Sequence, residues 1–202
     1  MSSISLIIFA FVCGSLPFSV WLGKIFLDSD VRQFGDGNPG ATNVFKAGNK
    51  MVGLLALLLD ISKAAAPVGF SYFNFNITGV SMFLIAIAPI LGHVFSPFLG
   101  FKGGKALATA LGVWIGLTIW KVSLPTAIMA FIGFAIFKSP GWAVMFAMGG
   151  ILTILLIWLP EPLFLLLWAA ETIILAWTHR ADLQHLPHPR PWLAKYLPRK
   201  RG

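Results

Sequence analysis

The 202-residue chain is 57% hydrophobic and 11% charged, with a mean hydropathy of +0.84, whereas soluble domains carry about 25% charged residues. So few polar side chains cannot coat a water-facing surface, and the apolar excess faces a bilayer. The net charge of +8 falls in short connectors and at the C-terminus, which follows membrane topology and excludes a nucleic-acid footprint. A lone cysteine, Cys13, excludes an internal disulfide.

From the N-terminus, Met1-Ser2-Ser3-Ile4 has no basic start and no small-residue cleavage site follows, so a cleaved signal peptide is not expected. A membrane-spanning helix takes about 20 mostly apolar residues. On that measure spans lie near 4–26, 51–72, 78–98, 105–120, 122–137, 142–158 and 161–178. The reading is an all-α polytopic membrane protein of about seven transmembrane helices, or six if Lys121 and Pro125 do not divide 105–137. Pro17, Pro67 and Pro89 are tolerated, because neighbouring helices re-satisfy the backbone groups that proline frees. Basic residues occupy alternate connectors: Arg32, Lys46 and Lys50, then Lys102 and Lys105, then Lys138, then the tail from Arg180 to Arg201. The opposite connectors carry Lys121 alone. By the positive-inside rule the N-terminus lies outside and the C-terminus in the cytoplasm. Residues 1–178 read as one membrane domain with cytoplasmic loops at 27–50 and 99–105, and 179–202 as a basic cytoplasmic tail with a disordered end.

Chemistry is expected in the glycine-rich loops. The first contains Gly35-Asp36-Gly37-Asn38-Pro39-Gly40-Ala41-Thr42-Asn43, followed by Lys46. Glycine allows positive φ and lets amides converge on an anion, and Asn38, Thr42, Asn43 and Lys46 add side-chain donors. A tight turn back to the membrane is the plainer reading of the same glycines. The other loop ends Phe101-Lys102-Gly103-Gly104-Lys105 and opens into a helix at Ala106. Bare amides at Gly103 and Gly104, two ammonium groups and the positive end of a helix dipole suit a phosphate dianion. Its spacing, with no Ser or Thr after Lys105, excludes a Walker A loop. Inside the apolar spans, Ser15, the pair Asp60 and Lys63, His93 and Glu171 stand out, as functional groups or as a neutralised structural pair. His179, His185 and His188 lie in a proline-broken segment without a cysteine partner, so no metal site is expected.

Gly14-Ser15-Leu16-Pro17-Phe18, residues 35–43, Asp60 with Lys63, Gly92-His93, the string from Phe101 to Thr109, and His179-Arg180 together resemble the PlsY family, in order and over nearly the whole chain. That family comprises bacterial plasma-membrane acyltransferases. They move a fatty acyl group from acyl phosphate to the 1-position of glycerol 3-phosphate, giving lysophosphatidic acid for phospholipid synthesis. The resemblance implies acyl phosphate, glycerol 3-phosphate and membrane lipid as partners, with an acyl-phosphate-producing enzyme as a further one. It implies no cofactor, since a mixed anhydride is already activated for attack. Substrate binding then falls to Ser15, Gly37, Asn38, Gly40, Thr42, Asn43, Lys63, Lys102, Gly103, Gly104, Lys105 and Asp182, and catalysis to Asp36, Lys46, His93 and His179. One phosphate would lie on Lys102 to Lys105, the other on Asn38, Thr42, Asn43 and Lys46. The hydroxyl proton goes to His93, His179 or the substrate phosphate, a choice the sequence leaves open.

Asp36 stands where the family usually has Ser, Lys46 where it has Arg, and Ala181 and Asp182 where it has Glu and Asn. A carboxylate at 36 repels substrate phosphates unless it is paired or turned away. Lys46 keeps the charge without the bidentate fork. Two other readings therefore stand beside the acyltransferase. One is a non-catalytic or retuned paralogue that binds phospholipid or a phosphorylated metabolite. The other is a transporter of such an anion, disfavoured by the apolar outer connectors.

Overall fold

The first apolar run folds as α1 (Ser3–Ser15) and α2 (Phe18–Leu27). Ser2 caps its start, accepting from the Ser5 amide at 3.2 Å, and Pro17, which has no N–H to donate, separates the two helices. The loop that follows holds a 3-10 turn at Val31–Gln33 and then α3 (Ala41–Lys46). Asn49 starts α4 (Lys50–Gly69) by accepting from the amides of Met51 and Val52 at 3.0 and 3.1 Å. Next come α5 (Gly79–Val94), α6 (Leu107–Thr118), α7 (Ser123–Ile136), α8 (Pro140–Trp158), α9 (Pro162–Thr178) and α10 (Arg180–Leu183). Helices α8 and α9 both open on proline, where the missing N–H is an orphan in any case. This computed structural model describes residues 2–194, so the tail end with Lys195, Arg199, Lys200 and Arg201 lies outside the described residues.

Among the described residues four helical stretches are long and apolar enough to cross a membrane: Ser3–Leu27, Lys50–Asn74, Gly79–Leu99 and Pro140–Trp158. The chain is thus an all-α, multi-pass membrane protein, and the expected count of seven transmembrane helices is corrected to four. The runs expected to span at 105–120, 122–137 and 161–178 fold as α6, α7 and α9, with 12, 14 and 17 residues. At about 1.5 Å per residue even the longest reaches only about 25 Å, short of about 30 Å of hydrocarbon. Their ends have local causes. Ala106 and Ile119, with φ of 64° and 57°, bound α6, while Pro162 and His179 bound α9. An outside N-terminus and a cytoplasmic C-terminus rested on the odd number of spans, and that basis falls with it.

Small residues set how closely the helices pack. Gly14 of α1 lies on the Pro89 backbone of α5, and Gly92 of α5 lies on the Phe11 carbonyl of α1, with no room for a Cβ at either. In the same way Gly112 and Gly116, one turn apart on α6, meet the backbone of α4 at Ile61 and Ala65, the small-residue spacing that lets membrane helices approach. Between them sits a core of Leu6, Ala10, Ile85, Ile90, Val113, Ile151 and Leu167. Outside, exposed Ile25, Leu58, Phe131, Ile157 and Ile173 form an apolar coat suited to lipid. Gly14→Ala is expected to lower stability by about 1–3 kcal/mol through overpacking, whereas Gly149, which faces open space, should accept alanine. Thermal unfolding in detergent checks this; equal melting temperatures for the two variants would mean that α1 and α5 repack freely.

Candidate active site

Local backbone chemistry folds the first glycine-rich loop onto the second. Gly35 and Gly37 take φ of 60° and 75°, open to glycine and strained for other residues. Those turns bring Asp36 back onto its own loop, where Oδ1 accepts from the Asn38 amide at 3.3 Å and from Asn43 Nδ2 at 3.1 Å. Buried Asn43 also donates to the Asn38 carbonyl at 2.9 Å. Asn38 then ties the two loops together, its Oδ1 accepting from the Lys105 amide at 3.0 Å. Lys46 stacks over Gly35, where a Cβ would meet its ammonium.

Lys105 is where the loops and the C-terminal segment converge. Its Nζ lies 3.0 Å from Asp36 Oδ2 and 3.3 Å from Asp182 Oδ2, and its carbonyl accepts from Thr178 Oγ1 at 3.2 Å. Burial pulls the Lys105 ammonium down, but the two carboxylates more than reverse this and hold its pKa above the ordinary lysine value. Burial likewise pushes Asp36 up, and Lys105 with the Asn38 and Asn43 donors outweighs it, leaving the carboxyl below its usual range. Asp36 is therefore paired, not turned away. Beside this cluster His179 is buried, with Nδ1 2.9 Å from the Leu175 carbonyl. A carbonyl only accepts, so Nδ1 carries the proton and Nε2 the lone pair. Burial lowers the His179 pKa below the ordinary value and keeps the ring neutral.

A second polar cluster lies inside the helices. The break before α2 leaves the Leu16 carbonyl without a helical partner, and Lys63 Nζ donates to it at 3.0 Å. The same ammonium reaches Asp60 Oδ1 and His93 Nδ1, both at 2.8 Å, and Ser19 Oγ donates to Asp60 Oδ2 at 2.8 Å. All four side chains are buried. Elsewhere in the bundle Trp114 Nε1 donates to Glu171 Oε2 at 2.6 Å.

One cavity of about 510 Å³ joins these parts. Exposed Asp36, Thr42 and Lys46 mark its polar end, with Asn38, Lys105, His179 and Asp182. Its other end is walled by Leu111, Trp114, Ala130, Phe134, Met148 and Ile151, with the buried Glu171 carboxyl among them. Such a site takes an anionic head and an apolar tail in one molecule.

Comparison with known proteins agrees. The family model described as glycerol-3-phosphate acyltransferase matches residues 4–188. This chain belongs to the glycerol-3-phosphate acyltransferase family. Curated relatives of that name include one from Maridesulfovibrio salexigens, 34% identical over 184 residues that cover 89% of this chain and 91% of the relative. Another, from Pseudoalteromonas translucida, is 35% identical over 181 residues, covering 89% and 86%. Among solved structures the chain is similar to the glycerol 3-phosphate form of PlsY (YgiH), an integral membrane glycerol 3-phosphate acyltransferase. The TM-score is 0.84 at 29% identity, covering 98% of this chain and 100% of that one. The lysophosphatidic acid form of the same enzyme gives 0.81 at 28% identity, covering 94% and 95%.

Within this acyltransferase fold the cavity gathers Asp36, Asn38, Gly40, Thr42, Lys46, His93, Lys105, His179 and Asp182. Other expected site residues stand apart from its walls. Ser15 donates to the Phe11 carbonyl at 2.7 Å and its own carbonyl accepts from Ser96, so it holds α1 to the loop after α5. Lys63 and Asn43 lie behind the wall, in contact with His93 and Asp36, Gly37 shapes the first loop, and Lys102 is exposed. The amides of Gly103 and Gly104, expected bare, donate to the carbonyls of Val94 and His93 at 3.0 and 3.1 Å. Sequence reasoning passed over Ser19 and Thr178 because a lone hydroxyl in a helix carries no pattern until its acceptor is known. Among the described residues no group of three His, Cys, Asp or Glu side chains forms a metal site.

Proposed function

We propose that this chain transfers a fatty acyl group from acyl phosphate to the 1-hydroxyl of glycerol 3-phosphate, giving lysophosphatidic acid and phosphate in the bacterial plasma membrane. The observation that carries this reading is a cavity with lysine at its polar end and mainly apolar side chains at the other. In it Lys105 and Lys46 neutralise the phosphates, and the alkyl chain lies along Leu111, Trp114 and Met148, where each buried methylene contributes about 0.8 kcal/mol. The glycerol oxygen attacks the acyl carbon, the bond from that carbon to the phosphate oxygen breaks, and phosphate leaves with the electron pair. His179 takes the hydroxyl proton on Nε2, the nitrogen that its Leu175 contact leaves with a lone pair. Positioning and charge neutralisation supply the rest.

The test is acyl transfer by purified protein in lipid, with palmitoyl phosphate and labelled glycerol 3-phosphate, beside an Asp36→Ser, Lys46→Arg, Asp182→Asn variant. Lysophosphatidic acid formed by the natural chain supports the reading. Product from the variant alone would instead favour a retuned paralogue, a reading that draws on the two carboxylates holding Lys105.

The pH profile carries the His179 assignment. A base with a lowered pKa stays unprotonated further into acid, so kcat should hold as pH falls through the ordinary histidine value of about 6.5 and decline only below it. His179→Gln should remove that acid limb along with most of the rate. An acid limb unchanged in a residually active His179→Gln protein would assign it to another group.

A further inference from the structure

The two histidines at the cavity are held in opposite tautomers. Where the Leu175 carbonyl leaves His179 an acceptor at Nε2, His93 Nδ1 faces the Lys63 ammonium at 2.8 Å. That ammonium is held as such by Asp60 at 2.8 Å, and its third hydrogen goes to the Leu16 carbonyl. With three donors and three acceptors in place, Lys63 can only donate to His93. Nδ1 is therefore the acceptor, and the ring proton sits on Nε2. Although the His93 residue is 8% exposed, its Nε2 has no hydrogen-bond partner among the described residues. The ring lines the cavity directly under Gly104, where a Cβ would collide with Nε2, one residue from Lys105. The Gly103 and Gly104 amides next to it are already taken by backbone carbonyls, so neither of those two is free for a reacting oxygen.

We propose that His93 acts in acyl transfer as a neutral hydrogen-bond donor, through Nε2–H, to the acyl carbonyl oxygen, and that Lys63 is the positioning residue that enforces this tautomer. The inference deepens the proposed function and rests on it for the identity of the oxygen. As the glycerol oxygen attacks, negative charge grows on the carbonyl oxygen, and a donor already aimed there stabilises the transition state more than the ground state. No proton leaves His93 in the step. A chain of buried contacts from Ser19 through Asp60 and Lys63 thus ends at the reacting carbonyl, with every member satisfied except the atom that meets substrate.

The experiment pairs kinetics with a spectrum that needs no turnover. Against palmitoyl phosphate, His93→Phe should lower kcat by about a hundredfold or more with KM nearly unchanged, as for loss of an oxyanion donor. His93→Gln, which keeps an amide N–H near the same place but cannot act as a base, should stay within about tenfold of the natural chain. A glutamine variant as inactive as phenylalanine, or a loss that falls on KM, overturns the donor role. Separately, NMR of labelled imidazole nitrogens at neutral pH, assigned by difference from His93→Phe, should show a protonated Nε2 and a bare Nδ1 on His93. In Asp60→Leu, Lys63→Met, which removes both buried charges together, the two tautomers should mix and kcat should fall. A pure Nε2–H signal there, or a protonated Nδ1 in the natural chain, overturns the role of Lys63. If the natural chain makes no lysophosphatidic acid while the tautomer is as stated, the functional reading has failed and not the geometry.

Discussion

Lys105→Met is expected to reduce kcat/KM about a thousandfold with glycerol 3-phosphate and acyl phosphate as substrates. The ammonium stands between Asp36 and Asp182, 3.0 and 3.3 Å away, at the polar end of the cavity. Removing it takes a cation from the substrate phosphate and leaves two carboxylates facing that phosphate. A unit-charge interaction at about 4 Å is worth about 4 kcal/mol at an effective dielectric constant of about 20, and about 1.4 kcal/mol is tenfold. The effect divides in a measurable way. Adding Asp36→Ser and Asp182→Asn to Lys105→Met removes the repulsion without restoring the cation, so part of the loss should return. Steady-state kinetics of the single and triple variants decide it, and a Lys105→Met protein within about threefold of the natural chain would show that Lys105 is an ion-pair strut and not a phosphate ligand.

Asp60→Ala should destabilise the fold by about 3–5 kcal/mol, the cost of leaving a buried charge without its partner. The Asp60 and Lys63 side chains are 3% and 1% exposed, so the Lys63 ammonium would lose its charge partner in a largely buried place. Asp60→Leu, Lys63→Met should be close to neutral, because two charges leave together and apolar groups of similar size replace them. Thermal unfolding in detergent gives both values. A double variant as unstable as Asp60→Ala would mean that the pair is needed for its contacts with Leu16 and Ser19 more than for mutual neutralisation.

The charge balance of the site accounts for Asp36 and Asp182, where the resemblance implies neutral side chains. Asp36 and Asp182 share one lysine, and they come from the first loop and from α10, which only the fold brings together. Either substitution looks hostile to a phosphate when read alone. Together around Lys105 they make a small ion cluster that a substrate phosphate must enter by competing for the ammonium. That competition predicts a weaker hold on glycerol 3-phosphate in the natural chain than in Asp36→Ser, Asp182→Asn.

The helical class, the membrane environment, the two glycine-rich loops and the family resemblance were legible in the residues themselves. Hydropathy and composition report solvent preference directly, and the strings at 35–43 and 101–109 are local in sequence. The number of spans was not legible, because hydropathy counts apolar residues and not helical ones. The positive-φ residues Ala106 and Ile119 and the proline at the start of α9 shorten segments that composition alone would extend across a bilayer.

The site divides along the same line. Lysine beside glycine in the loops nominated Lys46 and Lys105, an imidazole in apolar sequence nominated His93, and His179 entered through the family resemblance. Which histidine donates and which accepts was beyond sequence, for a tautomer is set by the partner of the other ring nitrogen. Those partners are Lys63, thirty positions from His93, and the Leu175 carbonyl, one helical turn from His179. Bare amides at Gly103 and Gly104 were a fair expectation from a Gly-Gly string, yet only the return of the chain beneath them shows the carbonyls of His93 and Val94 already in place. Composition and local spacing determined the solvent, the helices and the cast of charged groups. Tertiary structure decided which of them meet, because hydrogen bonds and ion pairs act over about 3 Å and no one-dimensional pattern carries that distance between segments far apart in the chain.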